Sequence, residues 1–127
     1  MEEQLLYYAI KYQGNFKRIY QAIAKHESIN KNELTKMKET LTCSYTTLLS
    51  NDYPLRLKEI DSPPFVLFYY GDLSLCNKEC ISMVGMRACS DYGRKMALSI
   101  SSDLAQKGKV IVSGMAKGID AYSHLER

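Results

Sequence analysis

Two glycine turns in the second half of the chain carry residue types that could hold a phosphate group. The first turn is Val84–Arg87, and the second is Ser113–Gly118. Each follows a short apolar segment and precedes a helical pattern, so each would bring unpaired backbone N–H groups and the partial positive charge of a helix N-terminus to a ligand. Because glycine lacks a Cβ atom, a ligand can approach the backbone closely there. The pair of turns therefore predicts an anion site.

Each turn also contributes one cation. Arg87 can bind a phosphate through two parallel hydrogen bonds, and Lys117 adds a mobile point charge. Neither turn matches a dinucleotide-binding or Walker motif, so the signal comes from two turns that lie one structural unit apart. The alternative interpretation is structural: the glycines only allow close packing of strand and helix, and the two cations face solvent.

Other candidate residues have simpler structural explanations. Asp120 and His124 are four residues apart and could share a metal ion or form an acid–base pair, but the spacing is more typical of a first-turn carboxylate bonded to a histidine. Ser90 and Ser113 could be nucleophiles, although no base is spaced to activate either. Tyr92 could stack on a base, but it also fits the packed face of its helix. We predict no catalytic residue, metal ligand or cofactor.

The second half must position these turns, and its pattern is typical of a parallel sheet. Ile81–Val84 predicts a strand, Ser90 can cap a helix that runs to about Gln106, and Val110–Val112 predicts the next strand. The two strands begin 29 positions apart in the sequence, the length of a strand–helix–strand unit. In such a sheet both turns lie at the carboxyl edge. A last helix should begin near Gly118. The residues expected to face the sheet from the long helix are Tyr92, Met96, Ala97, Ile100 and Leu104.

The first half, by contrast, is predicted to be helical. Only one of the seven glycines precedes residue 71, and all three prolines fall in the middle of the chain. Apolar spacing predicts helices around Leu5–Ile10, Phe16–Ile23 (capped by Asn15), Lys31–Leu41 and Tyr45–Leu49. We therefore assign a small helical domain, of SAM-like or helix-hairpin type, to residues 1–62. Residues 63–127 begin with a predicted strand, Phe65–Tyr70, and form an α/β domain with a parallel sheet.

Composition places this 127-residue chain among ordinary globular proteins, with 46% hydrophobic and 24% charged residues. The net charge of +3 is too small to indicate nucleic acid by itself, so any anion site must be a local cluster. The longest strictly apolar run, Phe65–Tyr70, is far short of a membrane span, and the acidic start Met1–Glu3 lacks the basic region of a signal peptide. We therefore expect a cytoplasmic chain whose four cysteines are free thiols.

Three segments resemble the DNA-processing protein A (DprA/Smf) family. Val84–Gly93 matches the family pattern V-G-x-R-x-x-S-x-Y-G, and Ser113–His124 matches S-G-x-A-x-G-I-D-x-x-x-H. The approach to those motifs, from Tyr53-Pro54 through Pro63-Pro64 to Tyr70–Asp72, is similar to the family's Y-P…L…I…P-P…Y-x-G-D. The resemblance covers roughly residues 53–127, and the helical first half fits the family's variable N-terminal domain only in kind.

The resemblance implies a Rossmann-like domain that binds single-stranded DNA and passes it to the RecA recombinase during natural transformation. Arg87 would then hold a backbone phosphate, and both turns would line the pocket. Single-strand binding needs a basic groove along the phosphates rather than a catalytic centre, so we expect a protein that is not an enzyme. The residues implied for the pocket are Gly85, Arg87, Ser90, Ser113, Gly114, Lys117 and Gly118.

Family members continue well past the last motif, whereas this chain stops at Arg127. A sheet of three strands with Val110–Val112 near its border would expose apolar surface. We therefore expect a truncated form or fragment that lacks the surface for RecA, or a homodimer that covers the edge.

Two other functions stay open. The first is a Rossmann-like nucleotide hydrolase related to the lysine-decarboxylase-like group, although the P-G-G-x-G-T signature of that group is absent. The second is a regulatory remnant that only contacts a partner protein.

Overall fold

The computed structural model describes residues 1–125, which form two compact units. The first unit is Met1–Leu73, and the second begins at Ser74. This division lies eleven residues later than the boundary predicted after Ser62, because a strand expected in the second half pairs within the first. Within the described residues, no helix is both long enough and apolar enough to cross a membrane.

Three helices open the first unit, as the apolar spacing predicts. They are α1 (Glu2–Lys11), α2 (Phe16–Ala24) and α3 (Lys31–Thr40). The side chain of Asn15 accepts a hydrogen bond from the backbone N–H of Arg18 and so caps α2. An asparagine at position 30 caps α3 in the same way. These caps decide where the short helices begin.

The segment predicted as a fourth helix is instead a strand. β1 (Ser44–Thr47) pairs antiparallel with β2 (Val66–Tyr69), with Ser44 opposite Tyr69 and Thr47 opposite Val66. The prediction was wrong because two adjacent β-branched threonines favour extended backbone when a partner strand is available. Short 3₁₀ helices lie at Leu55–Glu59 and Leu73–Asn77.

The core of the first unit is built on α1. Leu6 is fully buried, Ile19 of α2 packs into the same cluster, and Val66 brings the sheet onto it. Tyr53 is also buried, and its hydroxyl donates to the carbonyl of Pro64 at 2.7 Å. Apolar burial therefore joins the three helices to the antiparallel pair β1–β2.

The second unit contains the predicted strand–helix–strand arrangement. It consists of β3 (Cys80–Ser82), α4 (Asp91–Gln106), β4 (Val110–Val112) and the single turn α5 (Ile119–Tyr122). β3 and β4 are parallel, with Ile81 opposite Ile111. The predicted cap is confirmed, because the Ser90 side chain accepts from the N–H of Gly93 at 3.0 Å.

The helix α4 buries only part of the face predicted for it. Ala97 and Ser101 are buried, whereas Tyr92 is 74% exposed and the side chains of Met96 and Ile100 stand partly in solvent. The sheet beneath α4 has two strands and not three, since the segment Phe65–Tyr70 belongs to the first unit. A two-stranded sheet covers only a narrow strip of a helix, so the small residues at the centre of that strip make the contact.

Candidate nucleic-acid interface

The two glycine turns lie against one another at the carboxyl ends of β3 and β4. The backbone N–H of Ile119 donates to the carbonyl of Met86 at 3.3 Å, which links the second turn to the first. The Cα of Gly118 sits so close to the first turn that a Cβ would fall 2.2 Å from the carbonyl oxygen of Met86 and 2.4 Å from that of Arg87. The parallel sheet therefore brings together two segments that are about thirty residues apart in sequence.

At two of the predicted site glycines, protein atoms fill the space beside the Cα atom. A Cβ on Gly85 would lie 2.5 Å from the side chain of Ile119. Gly118 has a φ of +81°, a conformation that favours glycine, besides its contact with the first turn. At these two positions glycine allows the neighbouring protein segment, and not a ligand, to approach closely. This agrees with the alternative interpretation that the glycines serve packing.

Side chains in and just after the second turn accept hydrogen bonds from its backbone. The N–H of Gly114 donates to a carboxylate oxygen of buried Asp120 at 3.1 Å, and the N–H of Met115 donates to Ser113 Oγ at 3.1 Å. These donors are therefore not directed at an external anion. α5 is also only one turn long, so it offers little of the helix dipole that the sequence led us to expect.

Ser113 has a base within hydrogen-bond distance, contrary to the prediction from spacing. Its Oγ lies 2.6 Å from Nε2 of His124. The Asp120 carboxylate, which we predicted to bond to this histidine, accepts the N–H of Gly114. The sequence contains this serine and histidine eleven positions apart, but that spacing does not predict a contact without knowledge of the fold.

Ser90 is positioned by its helix. Its hydroxyl oxygen accepts the N–H of Gly93 as the N-cap of α4, so its observed contact is structural. Its backbone still belongs to the segment that leads out of the first turn.

The groups open to an anion are the two cations and the backbone of the first turn. Arg87 and Lys117 are both exposed, and within residues 1–125 neither forms an ion pair. The backbone N–H groups from Met86 to Cys89 donate no hydrogen bond to any described residue. The positive charge of this site therefore faces solvent and is not paired with a carboxylate of the described residues.

No metal centre accompanies these groups in the part of the chain that the structure describes. No three His, Cys, Asp or Glu side chains come close enough there to hold a metal ion. What the arrangement offers is electrostatic and hydrogen-bonding recognition of an anion.

Comparison with known proteins identifies relatives of this arrangement. The family model for DNA recombination-mediator protein A matches residues 44–126. The DNA processing protein DprA of Bacillus subtilis (strain 168) is 45% identical over 76 residues, and the Protein Smf of Synechocystis is 34% identical over 112 residues. These alignments cover 59% and 85% of this chain but 26% and 28% of those proteins. The chain therefore spans about a quarter of the length of the curated relatives it matches.

Two solved structures also resemble the chain. The X-ray structure of DprA from Streptococcus pneumoniae has a TM-score of 0.65 and 28% sequence identity, over 99% of this chain and 48% of that one. A structure of DprA from Helicobacter pylori, which concerns the single-stranded DNA binding mode of that protein, has a TM-score of 0.56 and 29% identity, over 65% of this chain and 38% of that one. The predicted fold class, a helical part followed by an α/β part with parallel strands, is confirmed.

Proposed function

This chain belongs to the DNA recombination-mediator protein A family, and from that premise we propose that it acts in DNA processing and recombination by binding single-stranded DNA without catalysis. Arg87 holds a backbone phosphate through its guanidinium group, and Lys117 adds charge from the adjacent turn. The backbone N–H groups of the first turn donate hydrogen bonds to the same phosphate.

One observation carries the proposal: two exposed cations, neither of them in an ion pair with a described residue, stand on two turns that contact each other. An arginine fork matches a phosphate in geometry, and single-strand binders use basic surfaces that follow the backbone. The buried carboxylate of Asp120 accepts a hydrogen bond from the N–H of Gly114, and within residues 1–125 it forms no ion pair with Arg87 or Lys117.

Membership of this family also supports more specific roles. We propose that the bound strand is handed to the RecA recombinase during natural transformation. We also propose a homodimer that covers the edge of the sheet at Val110–Val112, where Val112 is 44% exposed, and a cytoplasmic location.

Fluorescence anisotropy with a labelled oligo-dT tests the proposal at several salt concentrations. We expect Arg87→Ala and Lys117→Ala each to weaken binding about tenfold and to reduce the salt dependence by roughly one phosphate contact. Lys107→Ala is the matched control, because Lys107 is an exposed cation at the C-terminal end of α4, away from the turns. Absence of binding in low salt, or equal affinity of Arg87→Ala and the parent, would show that the proposal is wrong.

A hydrolytic function is the second candidate, and the contact between Ser113 Oγ and His124 Nε2 favours it. A histidine at that distance can take the proton of a serine nucleophile. However, the same Oγ already accepts the N–H of Met115, which restricts its approach to a substrate. Release of free base from a nucleoside monophosphate, lost in Ser113→Ala, would establish this candidate in place of the first.

A further inference from the structure

We propose that the first unit carries a second contact for single-stranded DNA, in which a base stacks on the ring of Tyr20. The inference rests on the proposed function for the nature of the ligand. It concerns a different surface, which lies on α2 and the sheet of the first unit, and it does not use the glycine turns.

Three aromatic rings form a near-parallel stack on this surface. The rings of Phe65 and Phe16 have centroids 4.8 Å apart with an interplanar angle of 15°, and those of Phe16 and Tyr20 are 6.4 Å apart at 19°. Tyr20 is the outer member and is 60% exposed. The stack therefore ends in solvent with a ring in the orientation that continues it.

Tyr20 does not contribute to the apolar core of the unit. The buried face of α2 is formed by Ile19 and Ala22, so Tyr20 lies off the core. Its hydroxyl forms no hydrogen bond with any described residue. A large ring held parallel to two others, with its outer surface in water, has the geometry that single-strand binders use to stack bases.

Charge on α2 favours an anionic partner. Lys17 and Arg18 lie in the first turn of the helix, which contains no carboxylate along its length. A cation there opposes the helix dipole, so its position slightly destabilises the helix and is not explained by folding. Neither residue forms an ion pair within residues 1–125. Lys17 precedes Tyr20 by three residues and therefore shares its side of the helix.

An apolar groove continues the surface from the inner end of the stack. Phe65 and Phe68 line this groove with Gly14 and Ile19, and its volume is about 350 Å³. Aromatic and apolar walls beside cations match a nucleic acid strand, whose bases are apolar on their faces and whose backbone is negative. An apolar protein segment would fit the groove, but it would leave the two cations without a role.

The experiment compares two ligands of equal charge: oligo-dT and an abasic oligonucleotide of the same length. We expect Tyr20→Leu in the full chain to weaken binding of oligo-dT about tenfold and to leave abasic binding unchanged, because only stacking is lost. Tyr20→Phe keeps the ring and should bind like the parent. Lys17→Gln should weaken both ligands about threefold. Tyr70→Leu is the matched control, since Tyr70 is 78% exposed on the same unit and lies outside the stack.

The outcomes separate this inference from the proposed function. If Arg87→Ala loses affinity while Tyr20→Leu binds oligo-dT like the parent, the stacking contact is wrong and the proposed function stands. Equal weakening of both ligands by Tyr20→Leu also overturns stacking, as does loss of binding in Tyr20→Phe. If the parent chain binds neither oligonucleotide, both proposals are wrong. Capture of a protein by the Tyr20 surface, with no base-dependent affinity, would replace the DNA strand as its partner.

Discussion

The two units of this chain are stabilised in different ways. Of the eleven buried hydrophobic side chains in the described residues, nine belong to the first unit, and only Ala97 and Ile111 belong to the second. The buried residues of the second unit are otherwise polar: Ser101, Asp120 and Ser123. The first unit therefore depends on apolar burial, whereas the second depends on close backbone approach and local hydrogen bonds.

This difference teaches where each unit is sensitive to substitution. The free energy gained by burial is roughly proportional to the apolar area removed from water, so the first unit should be destabilised by loss of side-chain volume. Contacts between backbones tolerate no extra atom, so the second unit should respond to gain of volume at its glycines. The following predictions can break or sharpen that contrast.

Gly118→Ala should have the largest effect. Its Cβ would overlap the carbonyl groups of Met86 and Arg87, and its φ is unfavourable for alanine, so we expect a loss of about 3–5 kcal/mol and no oligo-dT binding. Gly108→Ala is the matched control, because Gly108 has a φ of +80° with nothing within 4 Å of a Cβ. It should lose only about 1 kcal/mol and keep binding. Thermal melts and anisotropy measure both, and equal effects of the two variants would contradict the turn–turn contact.

Leu6→Ala should destabilise the first unit by about 2–5 kcal/mol, because Leu6 is fully buried on α1 and its truncation leaves a cavity. Leu49→Ala, at a 58% exposed position of the same unit, should change stability by less than about 0.5 kcal/mol. Urea unfolding followed by circular dichroism gives both values. A small effect of Leu6→Ala would mean that apolar burial is not what stabilises this unit.

Asp120→Ala should destabilise the second unit by about 1–3 kcal/mol, since the part-buried hydrogen bond from the N–H of Gly114 to the charged carboxylate of Asp120 is lost. Asp120→Asn keeps an amide oxygen and should lose less. The exposed Asp103 of α4 provides the control Asp103→Ala. Hydrogen exchange at Gly114 is the direct measurement, and unchanged protection in Asp120→Ala would rule out the carboxylate as its partner.

The smallest effect concerns acid sensitivity of the first unit. The hydrogen bond from the Tyr12 hydroxyl, and then Lys11 at 3.2 Å, keep the pKa of the Glu27 carboxyl below its usual value of 4.5. A carboxyl whose pKa is lower in the folded state adds stability above its unfolded pKa, and this contribution is lost as the pH falls through the folded pKa. Glu27→Gln should therefore flatten the acid limb of the stability profile. Glu39→Gln, at an exposed position of α3, should leave the loss of stability at acidic pH unchanged. Denaturation midpoints of the variants and the parent, measured across the acid range, test this.

Much of the fold follows from local sequence. Three helices of the first unit and the long helix of the second were predicted from apolar spacing and from capping residues such as Asn15 and Ser90. These features act within a few residues, so the sequence contains them directly. The segment Ser44–Thr47 was misassigned because its strand forms only when Val66–Tyr69 pairs with it.

The candidate site was predictable in position but not in detail. Sequence spacing placed both turns at one edge of a parallel sheet, and β3 and β4 are parallel. It did not reveal that Gly85 and Gly118 serve the packing of one turn on the other. Nor did it show the partner of Ser113, since His124 reaches that hydroxyl only after α5 folds back over the turn.

The sequence by itself determined the helices, the strand–helix–strand order and the two cations that follow β3 and β4, because each depends on residues close together in the chain. The tertiary structure alone decided that Asp120 takes the N–H of Gly114 and that Tyr92 lies in solvent. It also decided that Tyr20 extends a stack begun by Phe65, forty-five positions away. Such contacts join residues distant in sequence, and they exist only once the backbone has brought both partners to one place.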